Sequence, residues 1–315
     1  MADNANPGDS TQITRDYFDS ILVEMRHIDS VPPSTKLELY GETFSTPVML
    51  AALSHLQSCH PEGMVEAARG IKAADAVMWA GMGDEAELEA ITATGARTIK
   101  IIKPYADNKV IFRKIEHAEK CGCLAVGMDV DHAFNRKGNY DVIHDLKMKS
   151  KSLDEIREFV KATKLPFIIK GVLSVHDTHK CLDAGVRGIV VSHHHGHIDY
   201  AVPPLYVLPA ITEMVKKQKE KISIFVDCSI NRGMDAFKAL ALGADAVSAG
   251  RIIMEPLHAE GAEGVRKTIT GMTEELAGVM AATNSPDIRR IDPSVLWLPF
   301  NKWENVKCPD EIYRD

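Results

Sequence analysis

The chain has no apolar run approaching the roughly 20 residues needed to cross a bilayer, and its polar start, MADNANPGDSTQ, lacks the charged-then-apolar pattern of a secretory signal. A cytoplasmic protein without a membrane partner is expected. Basic charge is also in short supply: 37 Lys and Arg against 44 Asp and Glu leave a formal charge of -7, which repels a phosphate backbone. Nucleic acid is thereby an unfavourable partner, and a small-molecule substrate is the expected one. Paired cysteines are missing too. Cys59, Cys121, Cys123, Cys181, Cys228 and Cys308 are scattered, and the one close pair, Cys121 and Cys123, has neither the usual zinc nor the usual redox spacing. Reduced thiols are expected.

What the sequence does have is a repeat. Hydrophobic residues make up 45% of the 315 positions, enough to bury a sizeable core in one domain. Apolar runs of strand length recur, each followed by a helical segment, to about residue 280. The runs are PVMLAAL (47–53), AVMWAGM (76–82), RTIKIIK (97–103), LAVGMDVD (124–131), PFIIKGV (166–172), GIVVSHH (188–194), ISIFVDCS (222–229) and DAVSAGR (245–251). Eight such units predict an α/β fold, a (β/α)8 TIM barrel occupying residues 1–315 as a single domain. The runs are apolar throughout rather than alternating, as strands covered on both faces are; an open doubly wound sheet is the alternative. Helix starts are readable at Pro61-Glu62-Gly63, at Asp84, and at Ser152-Leu153-Asp154-Glu155. Three segments fall outside the repeat. Residues 1–12 are expected to be disordered, and 284–315 form a C-terminal extension. Residues 132–151 form an insertion after the fourth strand, read as a lid whose Arg136, Lys137 and Gly138 close over an anionic ligand.

Barrel enzymes place their chemistry at the C-terminal ends of the strands. Here those ends carry Ser54 and His55, Lys103, Asp129 and Asp131, Lys170, the run His193-His194-His195, Asp227 and Arg251. A rim so rich in ionisable groups points to catalysis. The last two strands carry a phosphate signal: the loop from Cys228 to Gly233 leads into a helix whose N-terminal amides are expected to face an anion, and Gly250-Arg251 ends strand eight. Within Ser192-His193-His194-His195-Gly196-His197, an imidazole at a strand end suits proton transfer near neutrality, with Asp131 the chosen carboxylate to stabilise the cation. A metal site with Asp129 or His132 competes, as do histidines with no chemistry, but alternate strand residues point to opposite faces, so consecutive histidines cannot all converge. No metal is assigned. Lys170, inside FIIKGV, is costly to bury without a partner, so an electron-rich cofactor or a rim carboxylate must stand beside it.

From Pro47 to about Thr283 these residues resemble the FMN-dependent 2-hydroxy-acid oxidase and dehydrogenase family, which includes glycolate oxidase, lactate oxidase and flavocytochrome b2. The stretches that carry the resemblance are PVMLAALSH with HPEG, FIIKGVLSVHDTHKCLDAGVRGIVVSHHHG, and FVDCSINRGMDAFKALALGADAVSAGR. The resemblance implies FMN as cofactor and a homo-oligomer, a tetramer or larger. It puts His194 in the place of the family's base, Asp131 in that of its aspartate partner, and Lys170 in that of the lysine facing the flavin N1–C2 edge. Ala51, Ala52 and Leu53 match backbone lining the isoalloxazine ring. Asp227, Ser229, Gly250 and Arg251 match the segments holding the ribityl chain and phosphate, and Gly81, Asp129, Ser192 and Asn231 complete the implied cofactor contacts.

The departures concern recognition. His197 stands where the family has an arginine that clamps the substrate carboxylate, Lys103 where it has a strand-three tyrosine, and Cys228-Ser229-Ile230-Asn231 where it usually has Gly-Gly-x-Arg. The N-terminal tyrosine of the family has no clear equivalent. Arginine and lysine are not interchangeable at a bidentate site. The implied activity is therefore an FMN-dependent oxidoreductase acting on a CH–OH group, with a substrate altered from ordinary 2-hydroxy acids and met by Lys103, Lys137 or His197. A non-redox flavin isomerase, like the type 2 isopentenyl diphosphate isomerases, and a non-catalytic ligand- or metal-binding barrel are the alternatives; the retained histidine–aspartate pair argues against the isomerase.

Overall fold

A computed structural model describes residues 6–218 and 222–299. Its centre is one sheet of eight parallel strands: β1 (Val48–Leu50), β2 (Met78–Ala80), β3 (Thr98–Ile102), β4 (Ala125–Asp129), β5 (Phe167–Val172), β6 (Gly188–Val191), β7 (Ser223–Val226) and β8 (Ala246–Ala249). They neighbour one another in chain order, β8 returning to β1. The remaining gap is closed by Leu50 N–H donating to Val77 O (3.1 Å) and Gly81 N–H to Leu53 O (2.9 Å). The fold is thus the (β/α)8 barrel that the eight repeats predict. Nearly every strand residue is buried, because the interior fills one face and helices cover the other, so the runs show no alternation. Inside, Trp79 meets Phe225 edge to face at 5.2 Å and donates its indole N–H to Met49 Sδ at 3.3 Å.

The outer helices are α1 (Ser10–Ser20), α2 (Gly63–Ala73), α3 (Glu85–Ala93), α4 (Asn108–Lys120), α5 (Leu153–Lys161), α6 (Val175–Asp183), α7 (Pro204–Lys216), α8 (Gly233–Ala241) and α9 (Met254–Ala282), the last interrupted at Gly261. Their starts obey the capping signals: Asp84 accepts from Glu87 N–H, and Ser152 with Glu155 forms a complete capping box. None of the described helices is long and apolar enough to cross a membrane. Cys59, Cys121, Cys123, Cys181 and Cys228 are free thiols; Cys308 lies outside the described residues.

Two peripheral expectations change. Residues 10–12 are not disordered but open α1, because Asp9 caps it by accepting from Thr11 N–H and because Thr14 and Phe18 are buried beneath it. Residues 1–5 lie outside the described residues, as do 300–315 of the C-terminal extension. The described part of that extension returns to the N-terminal segment, where Leu296–Trp297 pairs antiparallel with Leu22–Val23. Residues 132–151 form an ordered excursion, with a small antiparallel pair of Val142–Ile143 and Leu146–Lys147 and with Phe134 stacked on Tyr140.

Candidate active site

Strand register builds the first half of the site. It sets Lys170 of β5 directly opposite Asp129 of β4, with Lys170 Nζ 3.4 Å from Asp129 Oδ1 and 3.6 Å from Asp227 Oδ2. Lys103, just past β3, donates to the other oxygen of Asp129 at 2.6 Å. Burial alone would favour the neutral forms of Asp129 and Lys170. Here it is outweighed: Lys170, His194 and Lys103 hold Asp129 well below the usual carboxylate range, and Asp129, Asp227 and Asp131 hold Lys170 above its ordinary value. The lysine that looked expensive within FIIKGV is thus matched by the carboxylates on either side of its strand.

A bulge then admits Asp131. The register between β5 and β6 slips after Lys170, at Gly171, whose φ is +95°. A Cβ at that glycine would lie 2.6 Å from Asp131 Cγ, so only glycine leaves room for the carboxylate. His194 Nδ1 faces Asp131 Oδ1 at 2.9 Å and Asp129 Oδ1 at 3.2 Å. Two carboxylate acceptors make Nδ1 the donor, which leaves the lone pair of the neutral ring on Nε2. Burial and the Lys170 ammonium, 3.1 Å from Nδ1, push the imidazole pKa down, but Asp129 and Asp131 prevail and raise it. Asp131 is the weaker acid of the pair: burial and the neighbouring Asp129 charge raise its pKa, and its Oδ2 is buried without a hydrogen-bond partner among the described residues. His132 packs edge-on to His194, ring centroids 4.1 Å apart, and burial with the nearby Lys103 and His194 lowers its pKa to about 4, keeping it neutral. Asp129, His132 and His194 bring three potential metal-ligating atoms within 4.8 Å of one another. The two ammonium groups already on Asp129 oppose a cation there.

The remaining histidines of the run go to separate elements. His193 Nδ1 accepts from Gly196 N–H (2.8 Å), so its Nε2–H donates to Thr14 Oγ1 of α1 (2.7 Å). His195 Nδ1 accepts from Arg251 Nη2 (3.1 Å), and His197 Nε2–H donates to Phe134 O of the 132–151 excursion (3.1 Å). His194 and His195 both have left-handed backbone (φ +47° and +57°), which splays the consecutive rings.

The second half of the site is a cavity of about 360 Å³ at the ends of β1, β7 and β8, within the range of cofactor sites. Its walls include Ala51, Ala52, Leu53, Lys170, His194, Asp227, Ser229, Asn231, Gly250 and Arg251. These residues fit FMN: a backbone wall for a flat ring, a buried cation at Lys170, and Arg251 for the phosphate. Gly250 keeps room beside that arginine, since a Cβ there would meet only Ala51 Cβ, at 3.9 Å. Cys228 and Ser229 have φ of +66° and +59°, a conformation that costs an L residue about 1–2 kcal/mol. The α8 N-terminus does not face the cavity as expected. Glu275 Oε2 takes Gly233 N–H at 2.8 Å and Asp235 Oδ2 takes Asn231 N–H at 3.0 Å, so protein carboxylates already satisfy those amides.

Gly81, Ser192, Asp129 and Lys137 are not on the wall of this cavity. Gly81 is behind the ring wall, where a Cβ would come within 2.7 Å of the Ala52 and Leu53 carbonyl oxygens, and the buried Lys100 donates to its carbonyl at 2.5 Å. Ser192 is buried and accepts from His194 N–H at 3.1 Å, while Asp129 belongs to the charge cluster and not to the cavity wall. Lys137 is exposed on the excursion; its neighbour Arg136 donates to Gly196 O at 3.1 Å. Sequence reasoning missed Thr11, Gln12 and Arg15, which also line the cavity from α1. The available signal was Asp9 as an N-cap, followed by Thr14 and Phe18 at helical spacing.

Comparison with known proteins agrees with the barrel fold and with FMN as the cofactor. A family model described as FMN-dependent dehydrogenase matches residues 1–153 and 135–298. A peroxisomal (S)-2-hydroxyacid oxidase of Arabidopsis thaliana is 30% identical over 85% of this chain and 81% of its own, and glycolate oxidase of Spinacia oleracea is 29% identical over 87% and 82%. Among solved structures, mandelate oxidase with (S)-2-phenylpropionate superposes with a TM-score of 0.83 at 27% identity, covering 93% of this chain and 90% of the other. A mandelate oxidase variant with a monooxide FMN adduct gives the same TM-score at 29% identity, covering 93% and 92%.

Proposed function

The chain belongs to the FMN-dependent dehydrogenase family, and from that premise we propose that His194 is its catalytic base, acting on a hydroxylated substrate that carries no carboxylate for an arginine to clamp. The observation that carries the first part is the hold of Asp131 and Asp129 on His194 Nδ1, at 2.9 and 3.2 Å. With the hydrogen fixed on Nδ1, Nε2 takes the substrate proton, and the two aspartates stabilise the imidazolium. FMN, when bound, supplies the two-electron acceptor. Lys170 sets a buried positive charge on the wall that the cofactor shares. Lys103 keeps Asp129 ionised and oriented towards the base.

Charge balance supports the second part. Before proton transfer His194 is neutral, and the cations Lys103 and Lys170 face Asp129, Asp131 and Asp227, so the cluster has no positive charge left for an anion. His197, at the clamp position, spends Nε2–H on Phe134 O, and Arg136 donates to Gly196 O. Anaerobic flavin bleaching with a 2-hydroxy acid and with its amide tests this: the amide is expected to reduce the flavin faster at equal concentration, and a strong preference for the acid would overturn the reading. His194→Ala is expected to retain flavin while bleaching slows about 10²–10⁴-fold; undiminished bleaching would remove His194 as the base.

A further inference from the structure

Helix α1 lies outside the eight repeats, yet it is fastened to both loops that border the cavity. On the histidine loop, Ser10 Oγ donates to Ile198 O (2.6 Å) and Thr14 accepts from His193 (2.7 Å). On the phosphate side, Lys238 of α8 donates to Phe18 O (2.6 Å), and Arg15 spends all five of its N–H donors on protein. Nε and Nη2 donate to Asp19 (3.2 and 2.8 Å), Nη1 and Nη2 to Asp235 (3.1 and 2.8 Å), and Nη1 to the carbonyl oxygen of Ser229 (2.9 Å). Asp235 is 1% exposed and also accepts Asn231 N–H at 3.0 Å, so the one guanidinium ties both ends of the Ser229–Asn231 segment, directly and through Asp235.

That segment begins in strained backbone. Cys228 and Ser229 are consecutive non-glycine residues with positive φ, and such a conformation persists only where surrounding contacts hold it. Asn231 brings no charge to the loop, so phosphate binding there depends on where the backbone sits and on Arg251 across the cavity. We propose that Arg15 is the positioning residue of the FMN phosphate site: from α1 it holds the Cys228–Ser229 turn in its left-handed form, and through that turn it sets affinity for the phosphomonoester end of the cofactor. Its donors are already filled, so it acts on the phosphate through the loop and not by contact. The proposal rests on FMN as the cofactor and is independent of the substrate.

The test compares two flavins on the apoprotein by quenching of flavin fluorescence: FMN, and riboflavin, which lacks the phosphate. Arg15→Met is expected to raise the FMN Kd at least tenfold while the riboflavin Kd stays within twofold. Adding Cys228→Gly and Ser229→Gly to Arg15→Met removes the left-handed penalty and is expected to return the FMN Kd to within threefold of wild type. An unchanged FMN Kd, a parallel loss for both flavins, or no rescue by the glycines would overturn the proposal. Should Arg15→Met not fold, Arg15→Lys keeps a charge opposite Asp235 without spanning to Ser229 O, and the same fall in the FMN-to-riboflavin affinity ratio is expected; an unchanged ratio would overturn it. Wild-type protein that took up neither flavin would overturn the cofactor assignment, and this proposal with it.

Discussion

On the β4–β6 side of the barrel mouth, Asp129, Lys170 and His194 come together because they end neighbouring strands, and register alone sets Lys170 opposite Asp129. On the β7–β8 side, the loop after β7 is held by Arg15, a residue 220 positions from its partner Asp235 and outside the barrel. The two halves differ in what keeps them rigid. A charge cluster fixed by strand pairing is as rigid as the sheet, whereas a strained loop fixed by an added helix is only as firm as that helix's docking.

The largest effect is expected at the centre of the sheet-borne cluster. Lys170→Met would leave Asp129 and Asp227 buried on either side of an uncharged stem. Removing one partner from a buried charge network typically costs about 3–5 kcal/mol, and urea unfolding is expected to show a loss of that order at neutral pH. A loss under about 1 kcal/mol would mean that water reaches the aspartates and that the cluster is softer than its burial suggests. Next comes Gly171→Ala. The left-handed backbone alone costs about 1–2 kcal/mol, and the new Cβ must displace Asp131 from His194. The expected signature is a destabilised protein in which substrate-driven flavin reduction falls while FMN affinity stays near wild type, since the FMN cavity is untouched.

Titration sharpens the same contrast. Because His194 is held above its ordinary value of 6.5, a base on Nε2 makes kcat/KM rise with pH through an inflection on the alkaline side of 6.5. Asp129→Asn removes the carboxylate charge that raises it and leaves Lys103 and Lys170 to oppose the imidazolium, so the inflection is expected to move to lower pH. The stability signs run in opposite directions. Protonated His194 stabilises the fold below 6.5, and that contribution disappears as pH rises through its folded value. Ionised Asp129 contributes above 3.8 and is lost only as pH falls through its own depressed value. A wild-type inflection at or below 6.5 would show that the aspartates do not govern the base.

These assignments mark how far the sequence could be read. The eight strands were legible because continuous apolar runs follow from burial on both faces, and His194 with Asp131 because each sits at a strand end. The pairing of Asp129 with Lys170 was not: it is a matter of register across β4 and β5, which the two runs do not display separately. The α8 N-terminus looked free for an anion because Glu275, its carboxylate partner, lies 42 positions away in α9. Helix α1 was hidden for the same reason. Asp9, Thr14 and Phe18 mark a helix, but nothing local shows that Arg15 reaches Ser229 or that Thr14 reaches His193, 179 residues on.

The smallest effects are expected at Arg136 and Lys137 of the excursion between β4 and α5, beyond the point where its His132 packs on His194. Arg136 donates to Gly196 O and Phe134 O accepts from His197, so two long-range hydrogen bonds join it to the histidine loop. If this segment closes over the substrate, Arg136→Ala loosens the closure, and KM is expected to rise a few-fold with FMN affinity unchanged, while Lys137→Ala, on an exposed stem one residue away, leaves both constants within twofold. Equal and substantial effects of the two variants would point to a field of positive charge acting on an anionic substrate, because only charge, and not the Gly196 hydrogen bond, is common to both residues. That result would also count against the carboxylate-free substrate proposed above, so the weakest perturbation of the set bears directly on recognition at the strand 4–6 side.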